Sequence, residues 1–251
     1  MDNQVPLLET KDIVKDFGGL RALDHVDLVL YPGEVLGLVG ENAAGKSTLI
    51  KIITGIYSKT AGEIYFEGKK VDIKERGDSI RLGIEAIYQD LGLVEMMNVP
   101  ENLFLGKEHV IKLFGTFKIL DNNKMEKESI RFIKENIGMK IENYRSPIVN
   151  LSGGQRQAVA IARAVYSSAK LVIMDEPTAS LGVEEVHKTF EIVRKLKETN
   201  IAIIFIAHNL EHVFEIADKI MVIRQGKRVG FMDIKDTTKQ EIVSLMVMGA
   251  V

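Results

Sequence analysis

Gly40-Glu41-Asn42-Ala43-Ala44-Gly45-Lys46-Ser47-Thr48 places four residues between two glycines, then a lysine and two hydroxyls, and fits G-x-x-x-x-G-K-[ST]. It follows the apolar run Glu34–Val39 and precedes a helix-like run, Lys46–Ile56, so it reads as strand, loop, helix. Such a loop can turn its backbone N–H groups, at the positive end of a helix, toward a chain of phosphates with no bulky side chain intervening. Lys46 would then reach the β- and γ-phosphates of a nucleotide, and Ser47 would hold Mg²⁺. A second candidate is Leu171-Val172-Ile173-Met174-Asp175-Glu176, an apolar strand ending in two acids. Acids at the carboxyl end of a strand project into the crevice where α/β proteins bind ligands. Asp175 could support Mg²⁺, and Glu176 could polarise an attacking water. A third is Ser152-Gly153-Gly154-Gln155, which opens the helical run Arg156–Val165 and forms a second anion-binding helix start that one nucleotide does not need.

The elements that must carry these groups alternate between strand and helix. Leu7–Tyr31 reads as two or three strands with a turn at Phe17-Gly18-Gly19, Ile64–Lys69 as a strand and tight turn, and Ile84–Tyr88 as a buried strand. Residues 91–170 carry apolar side chains at helical spacing, as in Ile130, Phe132, Ile133 and Ile137 and again in Ala158–Val165. Ile111–Phe117 alternates around a glycine like a local hairpin. An amphipathic helix over Val183–Thr199, a strand over Ile201–Ala207 and a helix over Leu210–Ala217 follow. Ile220–Phe231 reads as a hairpin through Gln225-Gly226, and Lys239–Met248 as a closing helix. Strands alternating with helices imply a parallel sheet.

Composition bounds the reading. The 251 residues, 46% hydrophobic and 27% charged with net charge −2, suit an ordinary globular chain. No apolar run approaches the ~20 residues that span a bilayer, and Met1-Asp2-Asn3-Gln4 does not open like a secretory signal. With no cysteine there is no disulfide or thiolate chemistry. The near-neutral charge argues against broad nucleic-acid binding, which runs on excess Lys and Arg. His208 and His212 are four apart, but His208 closes an apolar strand and no third ligand is spaced to help, so a metal site there is not expected.

Taken in order, these motifs resemble the ATP-binding cassette ATPases, over nearly the whole chain. The resemblance implies an α/β fold: a P-loop NTPase, RecA-like core with a mixed, mainly parallel sheet, an N-terminal antiparallel β subdomain and an inserted helical subdomain. The chain would be one domain, with 1–90 and 171–251 forming the nucleotide-binding core and 91–170 the helical signature subdomain. ATP and Mg²⁺ are the implied ligands. Phe17 would stack on adenine. Gly40, Asn42, Ala43, Ala44, Gly45, Lys46, Ser47 and Thr48 would cradle the phosphates. Ser152, Gly153, Gly154 and Gln155 would bind the γ-phosphate of ATP held by the opposite subunit. Ser47, Gln89 and Asp175 would serve the metal, with Gln89 sensing metal and γ-phosphate from a lid loop. Glu176, His208, Lys46 and Gln89 would carry the hydrolysis, His208 as a switch histidine.

Asn98–Gly106 and Thr178–Gly182 look like the ATPases of bacterial simple-sugar importers. The implied partners are a second copy or a second ATPase of the same kind, integral membrane permease subunits and, indirectly, a substrate-binding protein. The implied location is cytoplasmic, peripheral at the inner face of the cell membrane. A docking groove for a permease helix is expected near Gln89–Leu105, where Leu91, Leu93, Val94, Met96 and Met97 put flexible apolar side chains into a loop. Two residues depart from the family pattern: Ala43, where a glycine is usual, and Gly182, where an aspartate usually bridges subunits. The competing readings are a soluble cassette ATPase acting on DNA or ribosomes and a small-molecule kinase. The first usually needs a long coiled coil or a basic linker, and neither is visible between Lys46 and Leu151; the second leaves Ser152–Gln155 without a use.

Overall fold

The computed structural model describes residues 4–113, 117–179 and 181–249. In chain order the elements are β1 (Leu8–Phe17), β2 (Leu20–Leu30), β3 (Val35–Val39), α1 (Lys46–Ile53), β4 (Ala61–Phe66), β5 (Lys69–Val71), α2 (Arg76–Leu82) and β6 (Ile84–Ile87). There follow α3 (Val99–Leu103), β7 (Val110–Leu113), β8 (Phe117–Leu120), α4 (Asn122–Phe132), α5 (Gly153–Tyr166), β9 (Leu171–Asp175), α6 (Val183–Glu198), β10 (Ala202–Ile206), α7 (Leu210–Ile216), β11 (Lys219–Arg224), β12 (Lys227–Asp233) and α8 (Lys239–Met248). Six strands form one sheet in the order β12-β11-β3-β10-β9-β6, parallel except at the β12 edge. A second, antiparallel sheet runs β2-β1-β4-β5.

The continuous apolar runs of β3, β9 and β10 are what strands covered on both faces require. Alternation sends Leu36, Leu38, Ile173 and Ile204 to one face, where they meet Leu49, Ile50 and Ile53 of α1 and the inner side chains of the antiparallel sheet. Val35, Val39, Val172, Met174, Ile203 and Phe205 go to the other, against Val159 and Ala162 of α5 and Phe190 and Val193 of α6. The carboxyl ends of β3, β10 and β9 therefore finish side by side at one rim, with Ile206 paired to both Leu38 and Asp175. The loops that leave this rim carry the phosphate-binding motif, the acidic pair and His208.

Several boundaries differ from the sequence expectations. α1 stops at Ile53, three residues early, because the amides of Ile56 and Tyr57 turn back onto the carbonyl of Lys51 in a helix-ending loop. α2, which the apolar pattern does not show, is short and largely polar and rests on a capping box between Glu75 and Asp78. The middle stretch holds α3, α4 and α5 and, around the hairpin expected over Ile111–Phe117, the antiparallel pair β7–β8, which reaches from Val110 to Leu120; residues 114–116 lie outside the described residues. Ile130 faces solvent, whereas Ile133 and Ile137 are buried in a π-helical turn that continues α4. The closing hairpin turns through Gln225 and Gly226, both at positive φ, as a two-residue type I′ connection demands.

Candidate nucleotide-binding site

The loop between β3 and α1 is shaped by close backbone approach. A Cβ on Gly40 would lie 2.2 Å from the carbonyl oxygen of Ile223, and one on Gly45, at φ 114°, would lie 2.9 Å from Leu23 Cδ2. Only glycine fits either place. Ala43 sits at φ 62°, so the position where glycine is usual does require the left-handed region, and the alanine adopts it. Lys46 is buried, and its Nζ donates to the carbonyls of Gly40 at 2.7 Å and Glu41 at 2.9 Å, folded back across its own loop. Burial pushes the Lys46 ammonium below the usual lysine range, opposed by the charges of Glu176 and Asp175.

A cleft of about 320 Å³ is lined by Phe17, Leu20, Asn42, Ala43, Ala44, Gly45, Lys46, Ser47, Thr48, Asp175, Glu176 and His208. Three loops from neighbouring strands thus bring the phosphate-loop residues, both acids and the histidine to one cavity. Burial and then the adjacent Glu176 push the Asp175 carboxyl above the usual aspartate range, against the pull of Lys46, His208 and Lys51. Glu176 stands at φ 55°, anchored by its amide to the carbonyl of Ile206 at 2.9 Å. Its Oε1 lies 2.7 Å from His208 Nε2. His212 turns elsewhere and meets the Thr178 hydroxyl at 2.9 Å. Phe17 is at the cleft mouth and 41% exposed, outside the core. Lys15 Nζ lies 4.8 Å from its ring centre, and Tyr57 meets it edge-on at 5.3 Å.

Gln89 and the serine-glycine motif are not in this cleft. Gln89 is exposed and lines an adjoining cavity with Tyr88, Gly153, Arg156, Gln157 and Pro177, and Glu176 is the wall the two cavities share. Ser152 caps α5: its Oγ accepts from the Gln155 amide at 3.3 Å while Gln155 Oε1 accepts from the Ser152 amide at 3.1 Å. The Gln155 side chain is therefore engaged in a capping box. Arg163, farther along α5, donates to the carbonyls of Leu91 and Gly92 at 3.0 and 2.7 Å and ties the helix to the loop after Gln89. Two groups not expected from sequence join this region. Glu185 accepts from the Gly154 amide at 2.9 Å, and Gln157 is buried with its Nε2 unpaired among the described residues. Glu185 had one sequence signal, its place three residues after Gly182 at a helix start.

A parallel-sheet core with a glycine-framed phosphate loop, an acidic strand end beside it and a second helix start outside the cleft defines a nucleotide-hydrolysing cassette. The family model "ABC transporter" matches residues 23–179, and the chain belongs to that family, as an ATP-binding and ATP-hydrolysing subunit. It is 44% identical over 240 residues to the xylose/arabinose import ATP-binding protein XylG of Sulfolobus acidocaldarius, covering 96% of this chain and 93% of that one. It is 43% identical to the ribose import ATP-binding protein RbsA of Caldanaerobacter subterraneus subsp. tengcongensis, where 96% of this chain spans only 48% of the relative. A crystal structure of a nucleotide-free ATP-binding cassette from an ABC transporter superposes with TM-score 0.82 at 30% identity, covering 96% and 99% of the two chains.

Proposed function

We propose that this ATPase energises import of a simple sugar through membrane permease subunits, working as a pair of cassettes at the inner face of the cell membrane. The observation that carries the pairing is the separation of Ser152–Gln155 from the chain's own phosphate cleft. A second anion-binding helix start has a use when a two-fold related copy brings its ATP to it. The sugar class is supported by the two relatives named above, both sugar import ATP-binding proteins. Among the described residues no helix is long and apolar enough to cross a membrane.

In this reading the phosphate loop and Lys46 bind the triphosphate, Lys46 exchanging the carbonyls of Gly40 and Glu41 for phosphate oxygens. Phe17 offers adenine the ring surface left free by Lys15 and Tyr57. Glu176 accepts a proton from the attacking water, and His208 holds that carboxylate in place from 2.7 Å. The donor set suits Mg²⁺: one hydroxyl at a helix start and one carboxylate raised by burial are hard oxygen ligands, and Mg²⁺ on a nucleotide asks for only one or two protein ligands besides phosphate and water. Ser47 and Asp175 would hold it, with Gln89 brought from the adjoining cavity; bound Mg²⁺ would neutralise charge on the phosphates. Exposed Val94 and Met96 beside half-buried Met97 form the surface on which a permease helix would dock, residues 91–170 acting as one lobe, while Leu91 and Leu93 pack inward on the core.

The test is isolation from native membranes with mild detergent, identification of the integral proteins that accompany the chain, and ATP-driven sugar uptake by the reconstituted assembly. Lys46→Ala should abolish both hydrolysis and uptake. Hydrolysis stimulated by nucleic acid, with no membrane protein retained, would overturn the transport assignment.

A further inference from the structure

The first turn of α6 presents Glu185 to the start of α5. One oxygen of its carboxylate accepts from the Gly154 amide at 2.9 Å and the other from the Gly182 amide at 3.3 Å. The approach uses the space that the two glycines leave. A Cβ on Gly154 would lie 3.1 Å from Glu185 Cγ, and one on Gly153 would lie 3.0 Å from Leu181 Cδ2 and 3.5 Å from Glu185 Oε2. The Gly154 amide first, then the Gly182 amide and the Ser152 hydroxyl, hold the Glu185 carboxyl below the usual glutamate range against a desolvation penalty. Ser152 and Gly154 thus face a carboxylate of their own chain, where the proposed function has them face the γ-phosphate of a partner's ATP.

The two anions cannot share that place. The Gln155 amide is already committed to Ser152 Oγ, which leaves the Gly154 amide as a donor over which carboxylate and phosphate compete. Two negative groups at one helix start would also repel each other at short range. We propose that Glu185 is a placeholder for the γ-phosphate: it satisfies the signature helix in the nucleotide-free subunit and must release Gly154 before the partner's ATP can engage. The inference rests on the proposed role of Ser152–Gln155. Its consequence is a threshold for closure. A nucleotide without a γ-phosphate has nothing to put in place of the carboxylate, so ADP leaves the subunits apart and ATP draws them together.

The decisive comparison is made in a Glu176→Gln background, where slow hydrolysis lets an ATP-bound dimer accumulate. Glu185→Gln keeps an acceptor for the Gly182 amide but removes the charge, and should lower the protein concentration needed for Mg²⁺-ATP dimerisation by on the order of tenfold, since a hydrogen bond to a charged group is roughly twice as strong as a neutral one and the difference corresponds to about that change in an equilibrium constant. Glu185→Ala should shift it in the same direction, with thermal unfolding measured alongside to follow the lost cap. In nucleotide-free protein labelled with ¹⁵N, the Gly154 amide should move with pH as Glu185 titrates, and cease to do so in Glu185→Gln. A dimer that is unchanged or weaker in both variants, or absent throughout, overturns the exchange and leaves Glu185 as a fixed buttress. Ser152→Arg in the same background tests the underlying reading separately: a dimer that survives it shows that the signature does not meet the partner's nucleotide, whatever Glu185 does.

Discussion

His208 Nε2 lies 2.7 Å from Glu176 Oε1, across the gap between the ends of β10 and β9. The backbone serves this contact. Glu176 takes a left-handed conformation, and its amide bonds to Ile206, two residues before His208, so both side chains leave a common anchor. A carboxylate fixed in advance loses less freedom when it must align a water.

His208→Ala should therefore lower kcat for ATP hydrolysis by about 10²-fold, within the range for a lost acid–base or positioning contact. ATP affinity should change far less, because the contact is to Glu176 and the loop around Lys46 is untouched. Steady-state kinetics and equilibrium nucleotide binding, measured together, check this. An unchanged kcat would mean that Glu176 needs no support from the histidine.

Ala43 should be improvable by replacement with glycine. A left-handed alanine costs about 1–2 kcal/mol, and glycine gives back about 0.4–1 kcal/mol through the freer unfolded chain, so Ala43→Gly should stabilise by about 0.5–1 kcal/mol. Ala43 is exposed, so little packing is lost in exchange. Urea unfolding should show a higher midpoint at unchanged slope. A lower midpoint would contradict the strain.

Local motifs were legible in the sequence, and contacts between distant segments were not. The phosphate loop and Glu176 follow an apolar strand directly and Asp175 ends one, so their place at the carboxyl rim could be read from pattern alone. The contact of Glu185 with Gly154 spans 31 residues and depends on how α6 crosses the start of α5, which no local spacing reveals. The same limit applies to Gln89, whose adjoining cavity exists only where its loop meets α5 and the segment after Glu176. α2 escaped notice because Ser79 is its only buried residue, leaving no apolar stripe to detect.

Gln157 offers a stability test of the cavity beside Gln89. It is 4% exposed, and its Nε2 has no partner among the described residues. An unsatisfied buried donor costs about 1–3 kcal/mol, and methionine matches glutamine in length with an adaptable apolar end. Gln157→Met should raise the stability of the nucleotide-free protein by about 1 kcal/mol. Thermal unfolding decides it, and a fall in Tm would show that the amide is paired in solution.

Asp175 gives a prediction in pH. Burial and Glu176 raise its pKa in the folded protein, so the folded state holds the proton more tightly than the unfolded chain. The stabilisation from that proton is complete below the ordinary aspartate value of about 3.9 and is lost as pH rises through the raised folded value. Lys46 acts in the opposite direction on the pH axis: its lowered pKa is a cost present at neutral pH and relieved only as pH climbs toward the ordinary lysine range. Near neutrality, both buried charges weaken the empty site. Asp175→Asn should accordingly stabilise the nucleotide-free protein at pH 7–8, and the gain should shrink through the acid range and vanish near pH 4, while hydrolysis is lost throughout. In the unsubstituted protein, Mg²⁺-ATP at 100 times its Kd should add about 2.7 kcal/mol by binding the folded state alone, and Asp175→Asn should forfeit much of that gain because it lacks the charge that the metal requires. Calorimetric unfolding across pH, with and without Mg²⁺-ATP, separates the two effects. A gain from Asp175→Asn that stays constant from pH 4 to 8 would show that Asp175 ionises as freely in the fold as in the unfolded chain, and that something other than buried charge destabilises the empty site.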